Sequence, residues 1–180
     1  MDAQRQMRTR FVGGFYGQLV SGLLWFTSAA LAQWSSPRAG IITLVIGGVA
    51  IFPFTELLLR LEGARTTVSP ENGLYDLGRQ VALVLPLSMP LLLPVTLYRL
   101  TWFYPGMMIL LGAHYLPFNF LYGMRMFTVL SALLVGAGVF IGRYASHTFA
   151  LGGWFTATVL LVFAVIGRIH ADREYRSRAA

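Results

Sequence analysis

The 180-residue chain has no cysteine and no lysine, and charged side chains make up only 12% of it. Without cysteine there is no disulfide framework, no thiol nucleophile and no thiolate metal site. A soluble domain carries about 25% charged residues, so half the usual charge is missing. Together with a 56% hydrophobic composition, this shortage excludes a disordered chain and an ordinary water-soluble enzyme. Signatures of catalysis are missing as well. No paired carboxylates fall within an apolar stretch, and there is no glycine-rich phosphate loop and no Gly-x-Ser-x-Gly elbow. The histidines are widely spaced. No catalytic residue, metal site or cofactor is therefore assigned, and an enzyme is the least favoured class.

What the chain has is apolar length. Neutral runs cover residues 11–37, 39–55, 80–98, 100–124, 126–142 and 144–167, and the second continues through Leu57, Leu58 and Leu59 beyond the acid Glu56. Crossing roughly 30 Å of hydrocarbon takes about 20 residues of helix. None of the runs alternates as a barrel strand would. Lipid leaves backbone amides no partner except each other, so such runs become helices. The expected fold is all-α, a multi-pass bundle with spans near 11–34, 40–60, 80–98, 102–123, 126–142 and 147–167. A basic segment 1–10 precedes it, a loop 61–79 interrupts it and a tail 168–180 follows it. Tight joints at Arg99 and Arg125 require hairpins.

All 14 basic residues are arginine. With both termini cytoplasmic, eleven lie inside: Arg5, Arg8, Arg10, Arg60, Arg65, Arg79, Arg125, Arg168, Arg173, Arg176 and Arg178. Only Arg38, Arg99 and Arg143 lie outside, which is the bias of the positive-inside rule. Trp34, Tyr98, Trp102, Tyr104 and Tyr144 fall at the expected outer boundary, where amphipathic rings settle. The net charge of +7 is spread along the inner edge, which suits anionic lipid headgroups rather than nucleic acid. Arginine without lysine hints at a biased genome, and a bacterial plasma membrane is the expected home. A signal-peptide reading of the start, cut after Ala30-Leu31-Ala32, is disfavoured because the apolar stretch exceeds the usual 7–15 residues.

In the loop, Ser69-Pro70-Glu71 has the order of a helix start, predicting a short interfacial helix that leads into the third span. Small residues supply the packing faces, with Gly13, Gly17 and Ser21 on the first span. They either seal helices within the chain, the preferred reading, or form a homodimer seam.

Polar residues inside apolar runs mark candidate sites. Glu56 lies about 6 Å along the axis from Arg60, so an i,i+4 pair with Arg60 stands against a cavity-facing carboxylate. Gln18 and Asn119 share the inner third, with Tyr16 and Tyr122 at similar depth and Gln80 just inside the boundary. These groups either line a pocket open to the cytoplasm or hydrogen-bond between helices. His114 lies near mid-depth, either as a neutral imidazole bonded to a neighbouring helix or as a proton relay. In the third span Pro86, Pro90 and Pro94 free the carbonyls of Ala82, Pro86 and Pro90, giving a kink or a carbonyl-lined hinge. The favoured function is binding or transport of a small solute or proton through an inner-facing pocket. The alternative is an accessory membrane protein whose polar residues only pack helices.

Four segments carry a likeness. Gly-Gly-Phe-Tyr-Gly at Gly13–Gly17, Pro-Phe-Thr-Glu at Pro53–Glu56, Asn-Gly-Leu-Tyr at Asn72–Tyr75 and His-Tyr-Leu-Pro-Phe at His114–Phe118 occur in an order that resembles a group of small, uncharacterised bacterial six-span membrane proteins. The resemblance implies a multi-pass membrane protein and carries no catalytic residues over.

Overall fold

Two of the long helices begin at a side-chain cap. Ser36 accepts the amide of Ala39 at 3.2 Å, with Pro37 in the first turn of the helix it starts. The computed structural model describes residues 2–63 and 67–177; Arg65, Thr66 and Arg178 lie outside them. Among the described residues there is no strand. The helices are α1 (Ala3–Arg10), α2 (Phe15–Trp34), α3 (Pro37–Glu62), α4 (Gly73–Ser88), α5 (Leu92–Tyr98), α6 (Phe103–Tyr115), α7 (Phe118–Tyr122), α8 (Met126–Phe140) and α9 (Leu151–Arg176).

The helix α2 packs between α3 and α9, while α6 packs against α8 on one side and against α4 and α5 on the other. Two side chains fix the antiparallel register of α2 and α3: Ser28 meets Gly40, and Leu24 fills the space a side chain at Gly47 would take. Between α6 and α8 the backbones themselves meet. A Cβ at Gly112 would come 3.0 Å from the Ser131 carbonyl oxygen, and one at Gly138 would come 2.9 Å from that of Pro105. This close pair is the hairpin that the joint at Arg125 requires. The core lies along α6, where Phe103, Tyr104, Met107, Met108 and Leu111 are all buried.

Five stretches among the described residues are long and apolar enough to cross a membrane: Val12–Trp34, Pro37–Glu62, Gly73–Tyr98, Met126–Ala145 and Leu151–Arg176. The fourth expected span, 102–123, is not a single helix. It breaks at Leu116-Pro117 into α6 and α7. Pro117 has no amide to continue the ladder, and the Leu116 amide turns back to Ala113 at 3.3 Å. At 13 residues α6 is roughly 20 Å long, and it is the most enclosed helix. Interrupted helices are tolerated at membrane depth where protein surrounds them.

The outer helices show what solvent the bundle needs. Along α3, Ile46, Val49, Phe52 and Leu61 are exposed, and from α4 through the turn into α5 so are Leu83, Leu87, Leu91 and Leu97. Exposed apolar faces of this length are not what a water-facing surface carries. The five long apolar helices and these outward surfaces fit a membrane protein.

Several expectations change in detail. The cap of α4 is Asn72, not Ser69: its Oδ1 accepts the Leu74 amide at 3.1 Å. Ser69 instead accepts the Glu71 amide at 3.4 Å within the turn before it. Asn72 wins because its amide nitrogen is also engaged, donating to Ala3 O and Gln6 Oε1, each at 3.1 Å. The helix that carries the third expected span thus starts at Gly73, seven residues before 80. Its prolines 86, 90 and 94 lie on the exposed side. The carbonyls freed at Pro86 and Pro90 are largely reclaimed, since Met89 N–H reaches Pro86 O and Leu92 N–H reaches Pro90 O through one tight turn at Met89–Leu91. Ser88 Oγ donates to Val84 O at 2.7 Å and does not serve Ala82. A kink follows from this backbone; a row of free carbonyls does not.

Candidate functional site

The sequence treats residues 1–10 as a basic leader, but in the fold α1 is a strap. Met7 is its one buried residue, and with Phe11 four residues on it forms a short apolar edge facing the bundle. The pivot into α2 needs glycine. Gly13 and Gly14 take φ of +63° and +82°, and a Cβ on Gly13 would come 2.5 Å from the Gly167 carbonyl oxygen. Only a residue without a side chain turns there against α9 at no steric cost.

From this strap, polar side chains lace one end of the bundle. Arg8 grips Glu174 through Nε at 2.6 Å and Nη2 at 3.0 Å, while its Nη1 donates to the Tyr122 carbonyl. Arg5 adds a bond to Glu174 at 3.1 Å. Gln4 donates to Phe120 O at 2.7 Å. On α9, Arg168 bonds Glu62 at 3.0 Å and lies 3.5 Å from Asp172. Elements from both halves of the chain are therefore tied at the end where α1 and the C-terminal turn of α9 meet.

Glu56 belongs to this lacing. Its carboxylate pairs with Arg10 at 3.1 Å, not with Arg60 one turn away. The reason is geometric: α3 is antiparallel to α2, which brings Glu56 level with the pivot at which Arg10 ends α1. Val12, Leu59 and Ala171 pack together there, with Phe11, Phe15 and Tyr16 around them.

Deeper in, Gln18 is 1% exposed, and neither its amide nitrogen nor its oxygen has a hydrogen-bond partner among the described residues. Gly14, one turn below on the same face, looks at Phe127 and Tyr122. Those two rings belong to an aromatic cluster in which Tyr122 lies 5.4 Å and Tyr115 6.2 Å from Phe127; Gln18 follows one turn on in α2. An unpartnered buried polar group costs about 1–3 kcal/mol, and this side chain carries two. Thr55, on α3, also has a buried hydroxyl without a partner.

The other expected pocket residues scatter. Tyr122 is buried at the cluster's edge, next to Phe11 at 6.3 Å. Tyr16 is half-buried, with its hydroxyl 3.4 Å from Arg168. His114 stands between the rings of Tyr115 and Phe118, with Nδ1 buried and unpartnered. Asn119 is half-buried, and its backbone oxygen accepts the Met124 amide. Gln80 is exposed and joins none of them. Glu56, Tyr122 and Tyr16 lie around the pivot, through Arg10, Phe11 and the cluster of Val12, Leu59 and Ala171, while Gln18 is buried without a partner and Gln80 is exposed. The packing trio separates too. Gly13 is the pivot and Ser21 is buried, but nothing lies within 4 Å of where a Cβ of Gly17 would be.

At the opposite end, Tyr104 is not a boundary aromatic but core. Its hydroxyl lies 2.6 Å from Ser28 Oγ, which in turn donates to Gly40 O at 2.8 Å. A hydroxyl has one proton to give, so Tyr104 is the donor to Ser28. Position alone places Tyr104 at the expected outer boundary; glycines 40, 152 and 153 clear the space that buries it. Trp34, Tyr98 and Tyr144 do remain exposed.

Two clefts open at the strapped end. One, of about 690 Å³, is lined by Arg8, Arg125, His170, Arg173 and Glu174 beside Met124 and Met126. The other, of about 310 Å³, lies among Glu62, Arg168, Asp172, Tyr175 and Arg176. Neither is lined by Gln18 or Glu56. Among the described residues no group of three or more His, Asp or Glu side chains could hold a metal ion. No curated protein and no solved structure matches the chain. A family model does match, over residues 1–169, and with that coverage the chain belongs to the family of unknown function DUF7010.

Proposed function

We propose that the protein is a six-span membrane protein, with both termini at the cytoplasmic face, that binds and passes a small polar solute or protons at an intramembrane site around Gln18. One observation carries this: an amide held 1% exposed with both of its polar atoms unpartnered. Such a group is satisfied by water or by a ligand's polar atoms. Glu56 supplies the charge at the mouth of the site, and Arg10 holds it while the strap is closed. In this reading the broken helix α6–α7 is the fourth span, and the arginine-rich end faces the cytoplasm and its anionic lipid.

A second reading, in which the polar residues only pack helices, draws support from the exposure of Gln80 and from the clefts lying away from Gln18. Proteoliposomes loaded with a pH-sensitive dye separate the two. The proposal expects protein-dependent proton entry that falls at least tenfold in Glu56→Gln, with elution and melting unchanged. Wild-type entry no faster than in protein-free liposomes, together with no retained solute in native mass spectrometry, favours the packing reading.

A further inference from the structure

The larger cleft at the strapped end has more positive charge than its own carboxylate uses. Among the described residues, Arg8, Arg125 and Arg173 line it against the single acid Glu174. Both oxygens of Glu174 are already taken by Arg5 and Arg8. Arg125 and Arg173 are exposed and form no ion pair among the described residues. Arg8 is held in place by the Tyr122 carbonyl as well as by Glu174, so one wall is preset. The turn at Gly123 comes so close to the strap that a Cβ there would lie 2.6 Å from Gln4 Oε1. That approach brings Arg125 beside α1.

From this arrangement we infer that the cleft binds a phosphate-bearing anion, the free arginines of the α7–α8 turn and of α9 closing on it from two sides. Planar guanidinium groups match phosphate oxygens two at a time, which a lysine point charge would not do. The cleft's volume, about 690 Å³, suits either a lipid headgroup or a small free phosphate compound. Met126 beside the arginines, and Val129 and Leu133 exposed further along α8, offer an apolar track for an acyl chain, and a soluble phosphate needs none.

The test uses the full chain in a neutral detergent. Phosphatidylglycerol or phosphatidylcholine is added and retention is read by native mass spectrometry; inorganic phosphate is titrated separately and read by ³¹P line broadening. The expected result is retention of phosphatidylglycerol over phosphatidylcholine, falling about tenfold in Arg125→Gln/Arg173→Gln and unchanged in Arg38→Gln/Arg99→Gln at the other end. Broadening of phosphate with the same dependence on the variants, without lipid preference, assigns the site to a soluble phosphate compound. Wild-type protein that binds neither probe overturns the inference, whether or not the variants fold. Equal loss in both double variants also overturns it, because binding would then follow net charge and not this cleft.

Discussion

A single hydrogen in place of a methyl decides how α1 joins α2. Gly13 turns with φ +63° while its Cα faces the Gly167 carbonyl, so Gly13→Ala combines backbone strain with a steric collision. Four residues on, Gly17 has an ordinary helical backbone and open space where a Cβ would go. The two substitutions should therefore diverge. Gly13→Ala should lower stability by about 1–3 kcal/mol, the scale of a strained residue. Gly17→Ala should be neutral or gain up to about 1 kcal/mol from helix propensity. Thermal unfolding in detergent, followed by tryptophan fluorescence, checks both; equal melting temperatures would contradict the pivot. Spacing places both glycines on one packing face. It cannot show that α9 returns to only one of them, because that contact spans more than 150 residues of chain. Glu56 teaches the same lesson. Its isolation in an apolar run marks it, but the choice of Arg10 over Arg60 depends on how α2 and α3 align.

Among the elements, α1 buries only Met7 and is anchored by polar side chains. Arg8 alone contributes three hydrogen bonds, with its side chain only 18% exposed. Arg8→Gln should cost about 1–3 kcal/mol, because it removes two of the bonds to Glu174 and the one to the Tyr122 carbonyl. The cost falls on docking of the strap, not on the bundle. Trypsin should accordingly cut at Arg5 and Arg10 several-fold faster in the variant, with the helical content of α2–α9 unchanged. Cutting at the wild-type rate would show that α1 does not depend on this anchor. The long helices were legible because apolar runs in lipid have no alternative to helix. The strap was less so: its signal is Met7 and Phe11 four residues apart among polar residues, too short a pattern to separate from a solvated basic leader. Proline positions in α4 and α5 foretold a kink, but not that tight turns would reclaim the freed carbonyls.

At the scale of the whole molecule, α2, α6, α8 and α9 form the packed centre, and α3 and α4–α5 flank it with apolar faces turned outward. That division was not visible in composition, since every span is apolar. Side-chain size set it: glycines at 112, 138, 152 and 153 let the central helices touch, while the flanking helices carry Leu, Val and Phe outward. The absence of native cysteine makes the threading directly measurable. Thr67→Cys, Arg38→Cys, Arg99→Cys and His147→Cys, introduced one at a time, can be labelled with a membrane-impermeant maleimide on intact spheroplasts. The expected result is labelling at 38, 99 and 147 from outside, and at 67 only after the membrane is opened. Labelling of 67 on sealed spheroplasts, or protection of 99 and 147, would contradict it.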